Sequence, residues 1–352
     1  MIQIANLAAT AGNGPNLDLH GRLLPVNSPQ PAPAPIRPAE VDLCVDVGVL
    51  SFKNPVIAAS GTFGYGVEFA DLVDLESLGG IVVKGLSAEP MLGAPSPRIC
   101  DTASGMVNAI GLQNIGVRAF VTEKLPLLRR YNTHVIANVF GKSIEGYLEV
   151  IRVLEQSEGV AAYELNVSCP NVEKGGLEFG TDPGSLSALV EAARRVTVRP
   201  LWVKLAPTVG FIGVMAKAAE GAGADALTIA NTYPALCINA HNRKSRLGST
   251  TGGLSGPAIK PITVRLVYEA CKAVRIPVVG LGGIETPEDA VEYILSGASA
   301  VEVGTAHFID PRASEQLVEG LEKWCKSNNI SRMSDLKGGL TGISGLPEGA
   351  RN

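Results

Sequence analysis

The chain has 352 residues, 46% of them hydrophobic and 18% charged, which is enough apolar material for one domain of barrel size with a substantial core. Its 30 basic side chains against 34 acidic ones provide no cationic field for a nucleic acid or an anionic membrane. Forty glycines beside 5% aromatic residues favour an α/β protein with many tight turns over a β-sandwich, and six scattered cysteines without a CxxC pair argue for a reducing compartment and against an iron-sulfur cluster held by this chain.

In chain order, Met1-Ile-Gln-Ile-Ala-Asn6 lacks the basic start and apolar run of a secretory signal, and no window is long and apolar enough to span a bilayer, so a cytoplasmic protein is expected. Residues 1–40 carry little charge and include Pro29-Gln-Pro-Ala-Pro-Ala-Pro-Ile-Arg-Pro38, the composition of an extended or disordered leader. From Val41 the texture changes to short β-branched runs separated by helix-compatible stretches, which predicts a barrel over 41–340 and a short tail at 341–352.

Eight such runs occur: Pro55-Val-Ile-Ala-Ala59, Gly80-Ile-Val-Val-Lys84, His134-Val-Ile-Ala-Asn138, Tyr163-Glu-Leu-Asn-Val167, Leu201-Trp-Val-Lys-Leu205, Ala226-Leu-Thr-Ile-Ala230, Pro277-Val-Val-Gly-Leu281 and Ala300-Val-Glu-Val-Gly304. Eight strand-helix units predict a closed (β/α)8, or TIM, barrel rather than an open doubly wound sheet. Helices are expected over Ser185–Arg195 and Val214–Ala224. The stretch from about 85 to 120, after the second run, is longer than a barrel loop needs and rich in Gly, Pro and Asn, as functional loops are.

A barrel builds its active site at the carboxyl ends of its strands, so the polar residues closing each run are the informative ones. They are Ser60-Gly-Thr62, Lys84, Asn138, Asn166 to Asn171, Lys204 and Asn231-Thr232. Two lysines and several carboxamides facing one cavity lose hydration unless a ligand with complementary oxygens and nitrogens pairs with them. Neither lysine's own strand supplies a carboxylate partner, which points the same way. The seventh and eighth runs end in Gly280-Leu-Gly-Gly-Ile284 and Gly304-Thr305, where backbone N–H groups can approach a phosphate; Gly252-Gly-Leu-Ser-Gly256 is expected to add donors. In Asn166-Val-Ser-Cys-Pro-Asn171, Cys169 follows a strand end and precedes a glycine-rich stretch, the setting of a nucleophile or general base on a closing loop. The other five cysteines lack that setting, and the four histidines show neither metal-ligand spacing nor a triad.

These strings, together with Asn54-Pro-Val-Ile-Ala-Ala-Ser-Gly-Thr-Phe-Gly64, Val83-Lys-Gly85, Gly105-Met-Val-Asn-Ala-Ile-Gly-Leu-Gln-Asn114 and Gly252-Gly-Leu-Ser-Gly-Pro-Ala-Ile-Lys-Pro261, make the chain from about Asp42 to Gly338 resemble the class 1 dihydroorotate dehydrogenases, most closely the class 1B catalytic subunit. The resemblance implies one FMN per chain, with its phosphate at Gly256, Gly282, Gly283, Gly304 and Thr305 and the rest of the flavin near Ser60, Gly61, Lys84, Asn138, Asn166, Lys204 and Ile229. It places orotate among Lys84, Asn108, Gly111, Leu112, Asn166, Asn171, Asn231 and Thr232, and makes Cys169 the base that takes the C5 proton while hydride passes from C6 to flavin N5. A homodimer and a partner subunit carrying FAD and a [2Fe-2S] cluster, which passes electrons to NAD, are further implications. The chain departs from the family pattern in its proline-rich leader and at Tyr233-Pro-Ala-Leu-Cys-Ile-Asn239, where the family more often has Gly-Met and then Ile-Asp. Two alternatives are a dihydropyrimidine dehydrogenase-like enzyme acting on uracil or thymine and a non-catalytic flavin-binding subunit. The paired presence of Lys84 and Asn108 favours a substrate with a carboxylate, which uracil lacks.

Overall fold

The computed structural model of the chain describes residues 41–167, 179–207 and 210–342; the expected leader and most of the expected tail lie outside the described residues. An antiparallel hairpin, β1 (Val45–Val47) and β2 (Leu50–Phe52), precedes β3 (Val56–Ala58) and β4 (Gly80–Val82). A second hairpin follows, β5 (Ile99–Thr102) and β6 (Gly105–Asn108). Then come β7 (His134–Val139), β8 (Ala162–Asn166), β9 (Leu201–Leu205) and β10 (Ala226–Ile229). The loop after β10 carries β11 (Tyr233–Ala235), β12 (Ile238–Asn239), β13 (Lys244–Ser245) and β14 (Gly252–Ser255), before β15 (Val278–Leu281) and β16 (Ala300–Val303).

All eight expected runs become strands of one closed barrel, β10-β15-β16-β3-β4-β7-β8-β9, and each ladder between them is parallel. These runs read as continuous apolar stretches because helices cover their outer face while side chains fill the interior. At the amino end of the barrel Phe52 lies 6.1 Å from the Trp202 ring and 4.7 Å from His134, so the first hairpin closes that end with aromatic surface.

The outer helices start where local chemistry dictates. Ser143 caps Ile144–Glu155 through the N–H of Gly146, and Tyr147, Leu148, Val150, Ile151 and Leu154 bury one face at helical spacing. Each such side chain contributes roughly 1.5–3 kcal/mol of burial, so Leu154→Ala in that face would cost about 2–5 kcal/mol. Asp182 caps Pro183–Arg194, with proline in the first turn. Thr286 and Asp289 form a reciprocal capping box on Pro287–Leu295. The helix expected to start at Val214 runs from Ile212 to Gly221, and Gly223, at φ 101°, turns the chain out of it.

The stretch expected to be a functional loop is more ordered than its composition implies. Strands β5 and β6 join β14 and β11 in a four-stranded antiparallel sheet of order β11-β14-β6-β5. Strands of three or four residues, in which Gly, Asn, Asp and Ser are mixed with apolar residues, are too short to carry an alternating apolar signal. Pairing with a segment some 145 residues away supplies the order instead.

Candidate active site

A cavity of about 550 Å³ opens at the carboxyl ends of the barrel strands. Its wall takes Ser60, Gly61 and Thr62 from beyond β3, Lys84 from beyond β4, Asn138 from β7, Asn166 from β8 and Lys204 from β9. Asn231 and Thr232 come from beyond β10, Gly282 and Gly283 from beyond β15, and Gly304 and Thr305 from beyond β16. The small sheet and its neighbours add Asn108, Gly111, Leu112, Gly253, Ser255 and Gly256. Residues spread over more than 240 positions of sequence thus meet at one mouth because a barrel aligns the ends of all its strands.

Three expected site residues stand apart. Ile229 is fully buried on β10 and is not on the cavity wall. Cys169 and Asn171 lie outside the described residues.

One side of the mouth is built from glycine. Gly283, at φ 65°, comes so close to the other loop that a Cβ there would sit 2.7 Å from the carbonyl oxygen of Gly256. Gly256, at φ 93°, has no room for a side chain either, since a Cβ would stand 2.6 Å from the Cα of Gly105. The result is a cradle of backbone without side chains beside Thr305, whose Oγ1 donates to Ser255 Oγ at 2.7 Å. Such a cradle fits a phosphate group. Of the stretch Gly252–Gly256, expected to add donors, Gly253 and Leu254 pair with β11 on one side and β6 on the other, so Gly256 is the residue outside the ladders. Elsewhere on the cavity wall Gly111 and Leu112 are consecutive left-handed residues, at φ 72° and 55°, and the strain of the leucine is of a kind that concentrates at ligand sites.

The two lysines differ. Lys84 is half-buried, and the contact seen for its Nζ is the carbonyl oxygen of Gly61 at 3.5 Å; among the described residues no carboxylate pairs with it. Burial, with a smaller contribution from Arg98, pushes its pKa below the usual lysine range. Lys204 is 3% exposed, and here the sequence expectation fails: its Nζ lies 3.2 Å from Glu302 Oε2 and 3.5 Å from Glu164 Oε1. Those carboxyl groups come from the adjacent strand β8 and, across the interior, from β16, so no inspection of β9 alone reveals them. Burial alone would lower the Lys204 pKa, but the two carboxyl groups outweigh it and hold it above the usual value.

Thr228 joins the same cluster, and Asn138 Nδ2 donates to Glu164 Oε1 at 2.6 Å. Glu164, Thr228 and Glu302 were missed as site residues, although a signal was present. Each is a polar side chain inside an otherwise apolar strand run, and Glu164 has the inward parity of Asn166 two positions later. Behind the mouth, His307 Nε2 pairs with Ser314 Oγ at 2.9 Å, and burial pulls its pKa down to about 4. Among the described residues no cluster of His, Cys, Asp and Glu is arranged to hold a metal ion, and no helix is long and apolar enough to cross a membrane.

Comparison with known proteins agrees with this geometry. The family model described as dihydroorotate dehydrogenase matches residues 42–324. A protein of Solibacter usitatus named dihydroorotate dehydrogenase A (fumarate) is 58% identical over 83% of this chain and 96% of its own. Proteins of Pelobacter propionicus and Trichlorobacter lovleyi, both named dihydroorotate dehydrogenase B (NAD(+)), catalytic subunit, are 52% and 50% identical over 85% of this chain and 98% and 99% of theirs. Among solved structures, a dihydroorotate dehydrogenase of Eimeria tenella in complex with ferulenol superposes with a TM-score of 0.71 at 22% identity, covering 85% of this chain and 88% of that one, which supports the fold.

Proposed function

Because the chain belongs to the dihydroorotate dehydrogenase family, we propose that it binds FMN in the cavity at the barrel mouth and oxidises (S)-dihydroorotate to orotate, a step of UMP synthesis. The observation that carries this reading is Lys84, an ammonium without a carboxylate partner among the described residues, in the wall of the same cavity as a cradle of glycine backbone. A desolvated cation beside a phosphate cradle calls for two anionic groups, and a flavin phosphate plus a substrate carboxylate are such a pair.

The phosphate is assigned to Gly256, Gly282, Gly283, Gly304 and Thr305. Ser60, Gly61, Asn138, Asn166 and Lys204 are assigned to the flavin ring, and Ile229, whose side chain is off the wall, is left a backbone role. Lys84, Asn108, Gly111, Leu112, Asn166, Asn171, Asn231 and Thr232 are assigned to the dihydroorotate ring, its imide and its carboxylate. FMN, when bound, supplies the two-electron acceptor. Lys204 presents positive charge at the cavity floor and favours negative charge arriving there. Cys169 takes the C5 proton of dihydroorotate as hydride leaves C6, so both C–H bonds break and the ring double bond forms.

For the electrons' onward path we assign NAD, reached through a partner subunit carrying FAD and a [2Fe-2S] cluster, with two copies of this chain as a dimer. Support comes from the relatives named NAD(+) catalytic subunits; the fumarate-linked name of the Solibacter relative marks the competing acceptor. The test is direct. Purified protein should be yellow, release FMN on heating, and lose flavin absorbance anaerobically on addition of dihydroorotate with formation of orotate. Colourless protein, or reduction by dihydrouracil in place of dihydroorotate, overturns the reading. Fumarate reduction by the isolated chain overturns the NAD assignment alone.

A further inference from the structure

Below the cavity floor two carboxyl groups and one ammonium share a space closed to water: Glu164, Lys204 and Glu302 are 0%, 3% and 0% exposed, and Thr228 between them is 0% exposed. We propose that Glu302 is a neutral carboxylic acid which donates its hydrogen to Thr228, leaves Glu164 as the single counter-charge of Lys204, and thereby serves as a positioning residue for that ammonium.

The count of hydrogens carries the proposal. A threonine hydroxyl has one hydrogen to give. Thr228 Oγ1 lies 2.7 Å from Glu164 Oε2 and 3.3 Å from Glu302 Oε1, so the hydrogen belongs to the shorter contact, with Glu164. Glu302 Oε1 then faces the lone pairs of the hydroxyl. An ionised Glu302 would set acceptor against acceptor there; a protonated one donates and completes a chain from Glu302 through Thr228 to Glu164. Glu164 needs no proton of its own, since Asn138 Nδ2 at 2.6 Å and Thr228 already donate to its two oxygens.

Charge leads to the same assignment. With both carboxylates ionised the cluster would keep an uncompensated negative charge in a dry interior, which the loss of hydration strongly opposes. Two acids that share a site separate their titrations. Burial and the Glu164 carboxylate hold Glu302 well above the usual carboxylate range. Burial would raise Glu164 as well, but Lys204 together with the hydrogen bonds from Thr228 and Asn138 helps hold it below that range. The consequence for chemistry rests on the FMN reading: the floor beneath the flavin is neutral, whereas an anionic floor would oppose the arrival of electrons above it.

The experiment uses the purified holoprotein, Glu302→Gln, Glu164→Gln and the double variant, with three readouts: the infrared carbonyl band of a protonated carboxylic acid, the midpoint potential of bound FMN, and the melting temperature. Glu302→Gln should remove the band and leave both potential and melting temperature at the wild-type values, because glutamine reproduces the neutral acid. In Glu164→Gln the band should also vanish, as Glu302 ionises to pair with Lys204. The double variant should shift the potential to more positive values, since the cation then lacks any partner. A wild-type spectrum without the band, or a positive shift of potential in Glu302→Gln alone, overturns the proposal. If the protein proves to hold no flavin, the FMN reading falls, while the infrared band and the melting temperature of Glu302→Gln still decide the protonation state. Should Glu164→Gln or the double variant not fold, the wild-type and Glu302→Gln spectra decide it unaided.

Discussion

Lys84 and Lys204 both close apolar strand runs, both reach the same cavity, and the fold treats them in opposite ways. Lys204 sits on the floor with its charge balanced by groups from two other strands, so it is a cation in place before any ligand arrives. Lys84 stands on the rim with one carbonyl contact and a pKa depressed by burial, so its charge is most stable when an external anion comes to it. Under the proposed function, floor and rim would divide the electrostatic work: one fixed charge for the cofactor side, one responsive charge for the exchangeable substrate.

The largest expected effect lies with the group that neither lysine can replace. Cys169→Ala should retain FMN and bind orotate yet lose dihydroorotate oxidation by about 10²–10⁴-fold at neutral pH, as removal of a general base does. Cys169→Ser should regain activity only as pH is raised, and a full pH–rate profile measures this. Normal turnover in the alanine variant would show that another base acts.

Lys204→Ala breaks the floor by leaving two buried acids without their cation, and a loss of roughly 3–5 kcal/mol in unfolding free energy is expected, with slower flavin reduction. Denaturant titration and stopped-flow reduction check the two effects, and an unchanged rate rules out the electrostatic role. Lys84→Ala should spare stability, because a poorly paired cation is removed, while weakening dihydroorotate binding by about 1.5–3 kcal/mol, or roughly 10–100-fold in KM. If the two alanine variants behave alike, the contrast between floor and rim is wrong.

The smallest effect is acid sensitivity behind the mouth. Burial lowers the pKa of His307 from the ordinary 6.5 to about 4, so the folded chain binds fewer protons than the unfolded one between those values. Its contribution to stability is complete above pH 6.5 and is lost as pH falls toward 4, by up to a few kcal/mol. Melting curves of wild type and His307→Asn across that window should converge at the acid end. A constant difference between them would contradict the assignment.

The barrel strands were legible because each is an apolar run buried on both faces, and the mouth was legible because barrel strands end where ligands bind, which put Lys84, Asn138, Asn166, Lys204 and the glycines on one list. Strands β5, β6, β11 and β14 were not legible, since each is only three or four residues long and the ladder that joins the two halves of their sheet, β6 with β14, links distant segments. Ile229, expected near the flavin, has its side chain off the cavity wall because in a strand with period two one position separates the interior from the outer face.

By itself the sequence determined the number of barrel strands, the parallel barrel and the family, because hydrophobic period and motif order are local properties of a chain. Only the tertiary structure decided how charge is distributed at the mouth. The partners of Lys204 lie 40 and 98 residues away, and barrel closure alone brings Glu164 and Glu302 within reach of it while leaving Lys84 without either.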